Sequence, residues 1–573
     1  MASITKQRMG KYTYLNVSVS FWDPEKKRPD NEKVRIGKID LHSGEPVYKQ
    51  EYLDKLVAAG ESIEGMRVWD KSKEAMGAIG GGSGCASATE TAEAILDSVK
   101  DFGVVYFLRS VAEKTGMLGI LRDALPDAWK EVFALACYLI AEDKPVMYCE
   151  EWAASNYGLD AGSMSSQRVS DLLASFGYQE RNSFYKSWHE HIRGREYIAL
   201  DITSVSSYSG QIEACERGYN RDGDDLPQVN ICMLFGEDSK LPVYQTVYSG
   251  SLNDVTTLRS TIAEFAALVG KVDIMVVMDK GFFSLDNIKL LLNGEGGKQR
   301  YRFLIGVPFT NDFAKGLVES ERADIDSIEN VVLTNSSPIR GKHKRGDWGC
   351  GVELSAHVFC NPEKAVKERN ELFGYVTSLS REAYANPQND RLWNEYCHYL
   401  NIDWPHNRPD ETLKVGIREE VVTKELATTG WFVLLSNHIE DPQVAHDIYR
   451  NKDVVEKSFS RYKNNLGLDR LRVHGDDRMQ NKIFVAFIAL IIASSINGTM
   501  KEQGLFKRMT FDKLILALAK LKSATVGVKT ILRPVTKVQS DILKAFDIKP
   551  PDYDTLEPPV PKRRGRKPKP KSE

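Results

Sequence analysis

The chain has 573 residues, with 77 Lys and Arg against 79 Asp and Glu, a formal net charge of −2. It is 42% hydrophobic, 9% aromatic and 27% charged, which excludes a disordered chain, a collagen-like one and a membrane channel. The length allows three or four domains at roughly 100–200 residues each. Eight cysteines without a C-x-x-C pair build neither a disulfide framework nor a zinc ribbon, so a reducing, cytoplasmic setting is expected. The opening MASITKQRMGKYTYL lacks the apolar stretch of a signal peptide, and the apolar run Ile483 to Ile496 is too short to span a bilayer and reads as a buried helix.

In chain order, residues 12–50 alternate around the turn-rich PEKKRPDN, which predicts a β-hairpin in a small β-rich unit over 1–75. The Gly-rich stretch 76–87 reads as a linker; it lacks the Lys-Ser/Thr of a phosphate loop, and no strand precedes it. Residues 88–194 read as helical, with helices at Thr91–Lys100, Ala128–Ala141 and Ser165–Phe176. Strands then follow at Tyr197–Thr203, Val229–Phe235 and Pro242–Tyr248, a helix at Asn253–Val269, and a buried strand at Val272–Met278. A helix at Ser284–Leu292 and a strand at Arg302–Val307 complete a mixed α/β sheet over 195–307.

The composition changes over 308–430, which reads as an insertion domain with helical spacing between Pro362 and Tyr399. The sheet pattern returns at Trp431–Ser436, and Asp441-Pro442 starts a helix, so 431–475 is expected to complete the core. Residues 476–550 read as a helical C-terminal region. The last stretch, 551–573, is a basic Pro-rich tail: residues 561–573 hold seven cations and one carboxylate, leaving 70 basic against 78 acidic residues elsewhere. An acidic body with a basic arm points to a polyanionic partner, nucleic acid first.

Two aspartates stand at or near the ends of predicted strands: Asp201 in YIALDITS and Asp279 in VDIMVVMDKG. Strand ends of open α/β sheets face a crevice, although an Asp near a Gly is more often only a turn former. Further on, Tyr449, Lys452, Glu456 and Lys463 fall at offsets 0, 3, 7 and 14 of a helical pattern, on one polar stripe about 60° wide. Ile448, Val455, Phe459 and Tyr462 occupy the adjoining face and would pack it down, while the bland reading is a solvated stripe of Glu–Lys pairs.

The ordered Asp201, Asp279 and Glu456 resemble the DDE triad of bacterial insertion-sequence transposases with a ribonuclease H-like fold. Tyr449-x-x-Lys452-x-x-x-Glu456-x-x-x-x-x-x-Lys463 is similar to the Y-R-E-K signature of their cut-and-paste group, with Lys452 where Arg is usual. The segments LDITSVSSYSG, GSLND (Gly250–Asp254) and MDKGFFSLDNI, and the long insertion before the Glu, fit the same group; the resemblance covers about Ile79 to Leu532. It implies a metal-dependent phosphoryl transfer in which two Mg²⁺ ions, or Mn²⁺ in their place, are held by Asp201, Asp279 and Glu456. It implies that Lys463, Tyr449 and Lys452 hold DNA phosphates.

Double-stranded DNA, as element inverted ends and target, is the implied partner, with a homodimer bringing two ends together. Hairpin-forming members hold a flipped base on an insertion-domain Trp; Trp348 and Trp431 are the counterparts weighed, with simple packing as the competing reading for both. The basic knot of Arg340, Lys342, Lys344 and Arg345 is a further candidate for DNA contact, as are Arg564 and Arg566 in the tail, where Arg-Gly-Arg resembles the core of an AT-hook. The alternatives kept open are a ribonuclease H-like nuclease or resolvase without strand transfer, and an inactive architectural DNA-binding protein. The cytoplasm of a bacterium or archaeon, at the nucleoid, is the expected location.

Deleting residues 561–573 is expected to weaken non-specific DNA binding and to flatten its salt dependence. The slope of log K against log salt should fall by roughly 0.9 for each phosphate that the tail had neutralised. Binding titrations over a salt series check this; an unchanged slope would make the tail an inert extension.

Overall fold

A computed structural model describes residues 3–9, 12–23, 28–39, 45–59, 63, 66–68, 99–142, 144–192, 197–219, 223–252, 254–270, 275–293, 301–334, 337–403, 413–452, 459, 462–463, 466–468, 470–526 and 529–552. The chain forms two compact units, Met1–Ala92 and Glu93–Glu573.

The first unit contains β1 (Ser3–Met9), β2 (Tyr12–Asp23), β3 (Arg28–Ile39), β4 (Pro46–Tyr48), α1 (Gln50–Ala58) and β5 (Arg67–Val68), the strands bonded in that order into one sheet. The predicted hairpin is β2 and β3, antiparallel with Asp23 opposite Arg28. Among the described residues of this unit, Leu15, Ile36, Val47 and Leu53 are the buried apolar ones. Strand β1 was not read from the sequence because it is an edge strand: SITKQRM pairs on β2 from Ser3–Ser18 to Met9–Tyr12, and Ile4 is half exposed, so no apolar alternation marks it.

The second unit opens with β6 (Val99–Asp101) and a helical layer of α2 (Gly103–Lys114), α3 (Met117–Ala124), α4 (Trp129–Ala141), α5 (Cys149–Ser155), α6 (Ser166–Leu172) and α7 (Tyr178–His191). The sheet follows: β7 (Tyr197–Ser206), β8 (Gln228–Gly236), β9 (Pro242–Ser249), α8 (Asp254–Val269), β10 (Met275–Met278), α9 (Leu285–Asn293) and β11 (Arg302–Val307). Next come α10 (Asp312–Glu321), β12 (Val331–Val332), β13 (Ile339–Asp347), β14 (Glu353–Cys360), α11 (Pro362–Ala385), α12 (Trp393–Tyr399), β15 (Leu400–Asp403), β16 (Lys414–Ile417) and α13 (Glu419–Leu426). Finally there are β17 (Trp431–Ser436), α14 (Pro442–Asn451), α15 (Asp476–Glu502), α16 (Phe511–Ala519), β18 (Lys522–Val526), β19 (Lys529–Leu532) and α17 (Lys537–Ala545).

One mixed sheet organises this unit, in the order β12-β13-β14-β17-β11-β10-β7-β8-β9. Strands β7, β10 and β11 are parallel, while β8, β9 and β17 join antiparallel. A mixed α/β fold was expected, and the continuous apolar strand at its centre has the cause inferred for it. Met275–Met278 is buried along its whole length because both faces of the sheet are covered.

Two expectations are corrected. The segment 308–430 is divided and is not one insertion: β14 pairs with β17 (Val358 opposite Val433), so β12, β13 and β14 extend the main sheet. Burial explains it, since Leu354, Ala356, Val358 and Phe359 are buried in the sheet and could not form an exposed lobe. Residues 362–426 carry a separate small core of Leu379, Ala383, Tyr396 and Leu400. The predicted helix end Val99–Lys100 is strand, because Lys100 pairs with Ser523 of β18 in the sheet β19-β18-β6. By the same correction, β18 and β19 are strands inside the stretch 476–550 expected to be helical.

Helix α15 is long and apolar enough to cross a bilayer, but 78% of its apolar window is buried inside the protein, against α4, α2 and β9. It is the central rod of the core rather than a surface helix. Ile488→Ala, which empties a fully buried position on it, is expected to cost about 2–5 kcal/mol. Urea unfolding of the full chain, followed by the signal of the second unit, measures that cost.

Candidate active site

Strand register brings the two aspartates together. β10 runs parallel to β7 with Met278 beside Leu200, and one further step along each strand sets Asp279 beside Asp201. Neighbouring strands lie about 4.8 Å apart. Side-chain alternation also puts the two on the same face, the one where Tyr197, Val277 and Leu304 pack against Ile448 and Tyr449 of α14. Asp201 is half-buried, and its Oδ1 accepts the Ile202 N–H at 2.8 Å.

Asp279 does form the turn at its neighbouring glycine, its carbonyl accepting the Phe282 N–H at 3.1 Å. It precedes the single helical turn Lys280–Phe282 without capping it through its side chain. The carboxylate faces α14 instead: Tyr449 Oη donates to Oδ1 at 2.8 Å, and Lys452 Nζ stands 3.8 Å from Oδ2. Lys452 is almost fully buried and lies 5.9 Å from the Tyr449 ring. Burial would push the Asp279 carboxyl up; the Lys452 ammonium, the Tyr449 hydroxyl and the Lys280 N–H outweigh it and hold the pKa below the ordinary Asp value. The carboxylate is therefore kept charged at neutral pH, next to a second acid.

The helix that carries these partners is fixed at its start. Asp441 caps α14 by accepting from Gln443 N–H at 2.8 Å, with Pro442 in the first turn, and the Gln443 amide pairs with both backbone groups of Leu333 at 2.8 and 3.0 Å. Lys452 stands as the C-cap of α14, and residues 453–458 lie outside the described residues. The Tyr449–Lys452 part of the polar stripe faces the carboxylates and not solvent. Phe459 and Tyr462 are buried as expected, the Tyr462 hydroxyl 2.6 Å from Gln245 Oε1, and Lys463 beside it is half-buried. Glu456 lies outside the described residues, as do Arg564 and Arg566. Among the described residues no group of three or more His, Cys, Asp or Glu could hold a metal ion; the aspartates supply two hard oxygen ligands.

Gly306 was missed by the sequence reading. A Cβ there would come within 2.8 Å of Tyr449 Oη and 3.1 Å of Lys280 N, so only a glycine lets the phenol reach Asp279. A glycine in a buried strand run was the available signal.

A cleft of about 1610 Å³ opens from this point, with Asp279, Tyr449 and Lys452 in its wall. That exceeds the usual 300–1,000 Å³ of a small-ligand pocket. Lys280, Lys315, Arg322, Lys364, Lys424 and Arg450 also line it, against Glu319, Glu368 and Glu425. The far side comes from α11 and α13, so the small core of residues 362–426 forms the opposite bank.

The basic knot is arranged differently. Arg340 pairs with Asp326 (2.9 Å), Lys342 and Lys344 both pair with buried Glu321 (2.7 and 2.9 Å), and Arg345 pairs with Glu440 (2.8 Å) and Glu353 (3.3 Å). All four cations are engaged by carboxylates of the same chain. Trp348 stacks on Phe313 at 5.6 Å and donates to the Leu354 carbonyl, while Trp431 is buried, lines the cleft and carries the Arg322 guanidinium over its ring at 5.4 Å.

The second unit thus joins two neighbouring carboxylates on a mixed α/β sheet to a large cleft lined by several cations. The family profile described as a transposase DDE domain matches residues 192–492, and the chain belongs to that family: it is a DNA-cleaving transposase. Among solved structures, a cryo-EM structure of a piggyBac transposase synaptic complex with hairpin DNA is similar at 12% identity, covering 68% of this chain and 70% of that chain with a TM-score of 0.35. No match was found among curated proteins.

The Glu321 clamp gives a pH-dependent test. Burial pushes its carboxyl up, but Lys342 and Lys344 outweigh that and hold it below the ordinary Glu value. A depressed folded pKa means that the stabilisation is present above the unfolded value, ~4.3, and is lost as pH falls through the folded value. Glu321→Gln is expected to cost about 1–2 kcal/mol at pH 7, modest because both lysines reach solvent, with the difference from wild type closing below about pH 4. Urea midpoints at the two pH values decide it.

Proposed function

We propose that this transposase recognises the inverted ends of its own element, cleaves them, and joins the freed 3′ ends to target DNA. The observation that carries the proposal is Asp279, next to Asp201 by strand register and held by Tyr449 and Lys452, in the wall of the cation-lined cleft. The order β9-β8-β7-β10-β11, with β10 and β11 parallel to β7, supports a ribonuclease H-like core.

Asp201, Asp279 and Glu456 would hold two Mg²⁺ ions, or Mn²⁺. When bound, such ions supply charge stabilisation for an in-line displacement at phosphorus. The residues present suit them, because two carboxylates held side by side repel until a cation arrives. Lys452 meets part of that need in the free protein, and Tyr449 and Lys452 would hold neighbouring DNA phosphates. Lys463 would hold a phosphate at the cleaved end. Lys424 and Arg450, which make no salt bridge to a described carboxylate, are placed to meet the backbone along the cleft. The helical layer from α2 to α7 and the N-terminal β unit are the proposed readers of the element end. Two subunits would bring two ends together, and the tail, through Arg564 and Arg566, would add contact with the minor groove or with phosphates. The setting is the nucleoid of a bacterial or archaeal cell.

Asp201→Ala, Asp279→Ala and Glu456→Ala are each expected to lower Mg²⁺-dependent cleavage of an end-containing duplex by several orders of magnitude while DNA binding persists. Wild-type cleavage by any one of them overturns its assignment. A joined product in the wild-type reaction separates a transposase from a nuclease that only cuts.

A further inference from the structure

The strand that carries Asp201 also anchors α14 at both ends. Tyr197 opens β7, four residues before Asp201, and packs with Ile448 and Tyr449 in the layer under the helix. Its hydroxyl lies 2.8 Å from Nε2 of His438, on the segment that leads from β17 into α14. Its carbonyl accepts the Glu237 N–H at 2.9 Å, next to the last pair of the β7–β8 ladder, Ile198 and Gly236. Glu237 Oε1 in turn accepts the side-chain amide of Asn451 at 2.8 Å, and Asn451 is the last residue of α14.

Glu237 is an unusual acid for a hairpin turn. It begins the turn from β8 to β9, closed by the Gly236 N–H on the Leu241 carbonyl at 2.9 Å, yet only 5% of it is exposed. A carboxylate in such a turn ordinarily stays in water, because burying it is costly. Here it is turned in against the end of the helix, while Asn451 itself is exposed.

The direction of attachment gives this bond its consequence. Residues two apart on a helix project about 200° apart, so Tyr449 and Asn451 leave α14 on nearly opposite sides. On one side Tyr449 Oη reaches Asp279 at 2.8 Å; on the other Asn451 reaches Glu237. A hydrogen bond on one side alone lets a helix roll about its axis, and a bond on each side stops it. Lys452, the residue after Asn451, stands 3.8 Å from Asp279 and takes its place from the same helix end.

We propose that Glu237 is a positioning residue of the cleavage reaction. By holding Asn451 it fixes the roll of α14, and with it the reach of Tyr449 and Lys452 to Asp279 and the point from which the chain continues to Glu456. Glu237 acts through the helix and not on the substrate. Its effect on cleavage rests on the reading of Asp279 and Glu456 as metal ligands; its control of Tyr449 does not.

The test uses the full chain with 3-fluorotyrosine in place of Tyr449, and an end-containing duplex. In metal-free protein, Glu237→Ala and Asn451→Ala are each expected to move the fluorine resonance. Glu237→Gln, which keeps an acceptor oxygen, should restore it. With Mg²⁺ and saturating duplex, each Ala variant should cut roughly 100-fold more slowly, the loss that a misplaced group far from the chemistry can cause. The double Ala variant should be no slower than either single one, because both remove the same bond. Duplex affinity without metal should change far less than kcat. Asn451 is exposed, so Asn451→Ala decides the matter even where emptying the buried position at Glu237 weakens folding. Wild-type resonance and rate in Asn451→Ala overturn the proposal, and so does a Glu237→Gln protein as displaced and as slow as Glu237→Ala. If Asp279→Ala still cleaves, the catalytic reading fails, and the fluorine resonance alone then decides whether Glu237 positions Tyr449.

Discussion

Because β10 pairs with β7 in parallel, Met278 beside Leu200, the next residue along each chain is an aspartate, and two carboxylates meet where β10 ends. Nothing local produces that meeting: 78 positions separate the two residues, and only the ladder between their strands sets the distance. A slip of one residue would turn one carboxylate to the opposite face and leave a charge in the apolar core. The burial of Val276, Val277, Met278 and Leu200 thus holds the register and, with it, the site.

The same constraint explains why α14 must arrive where it does. Two neighbouring acids at the rim of an apolar layer need positive charge and hydrogen-bond donors, and Tyr449 and Lys452 provide them one helical turn apart. Gly306 on β11 leaves room for the phenol, and the cap at Asp441 with the Gln443–Leu333 pair sets where the helix begins. Elements far apart in sequence converge on one carboxylate, which stays ionised despite its burial because their combined effect exceeds desolvation.

Charge is also divided by role. The basic knot on β13 is neutralised inside the protein, where Glu321 alone engages two of its lysines. Cations such as Lys424 and Arg450, scattered in sequence and inconspicuous there, line the large cleft without a salt bridge to a described carboxylate. A cluster of like charges in the sequence can therefore be balanced within the fold, while cations scattered in the sequence are gathered around a concavity.

The sequence by itself determined the strands of the central sheet, the order of the two aspartates and the helix start at Asp441-Pro442. Each of these is a local signal: an apolar run, an acid just past a strand as at Asp279, a cap; Asp201 instead stands in mid-strand, five residues before the end of β7. It also determined that Tyr449 and Lys452 share a helix face, since three residues make nearly one turn. Edge strand β1, the β6–β18 pairing and the entry of β12–β14 into the main sheet were decided only by the tertiary structure. Short or two-faced strands carry little pattern of their own and are fixed by the strand they pair with. Tertiary packing likewise decided that Arg340, Lys342, Lys344 and Arg345 are internally paired, and that Gly306 belongs to the site. The identity of a charge is written in the chain, but its partner is whatever folding places within reach.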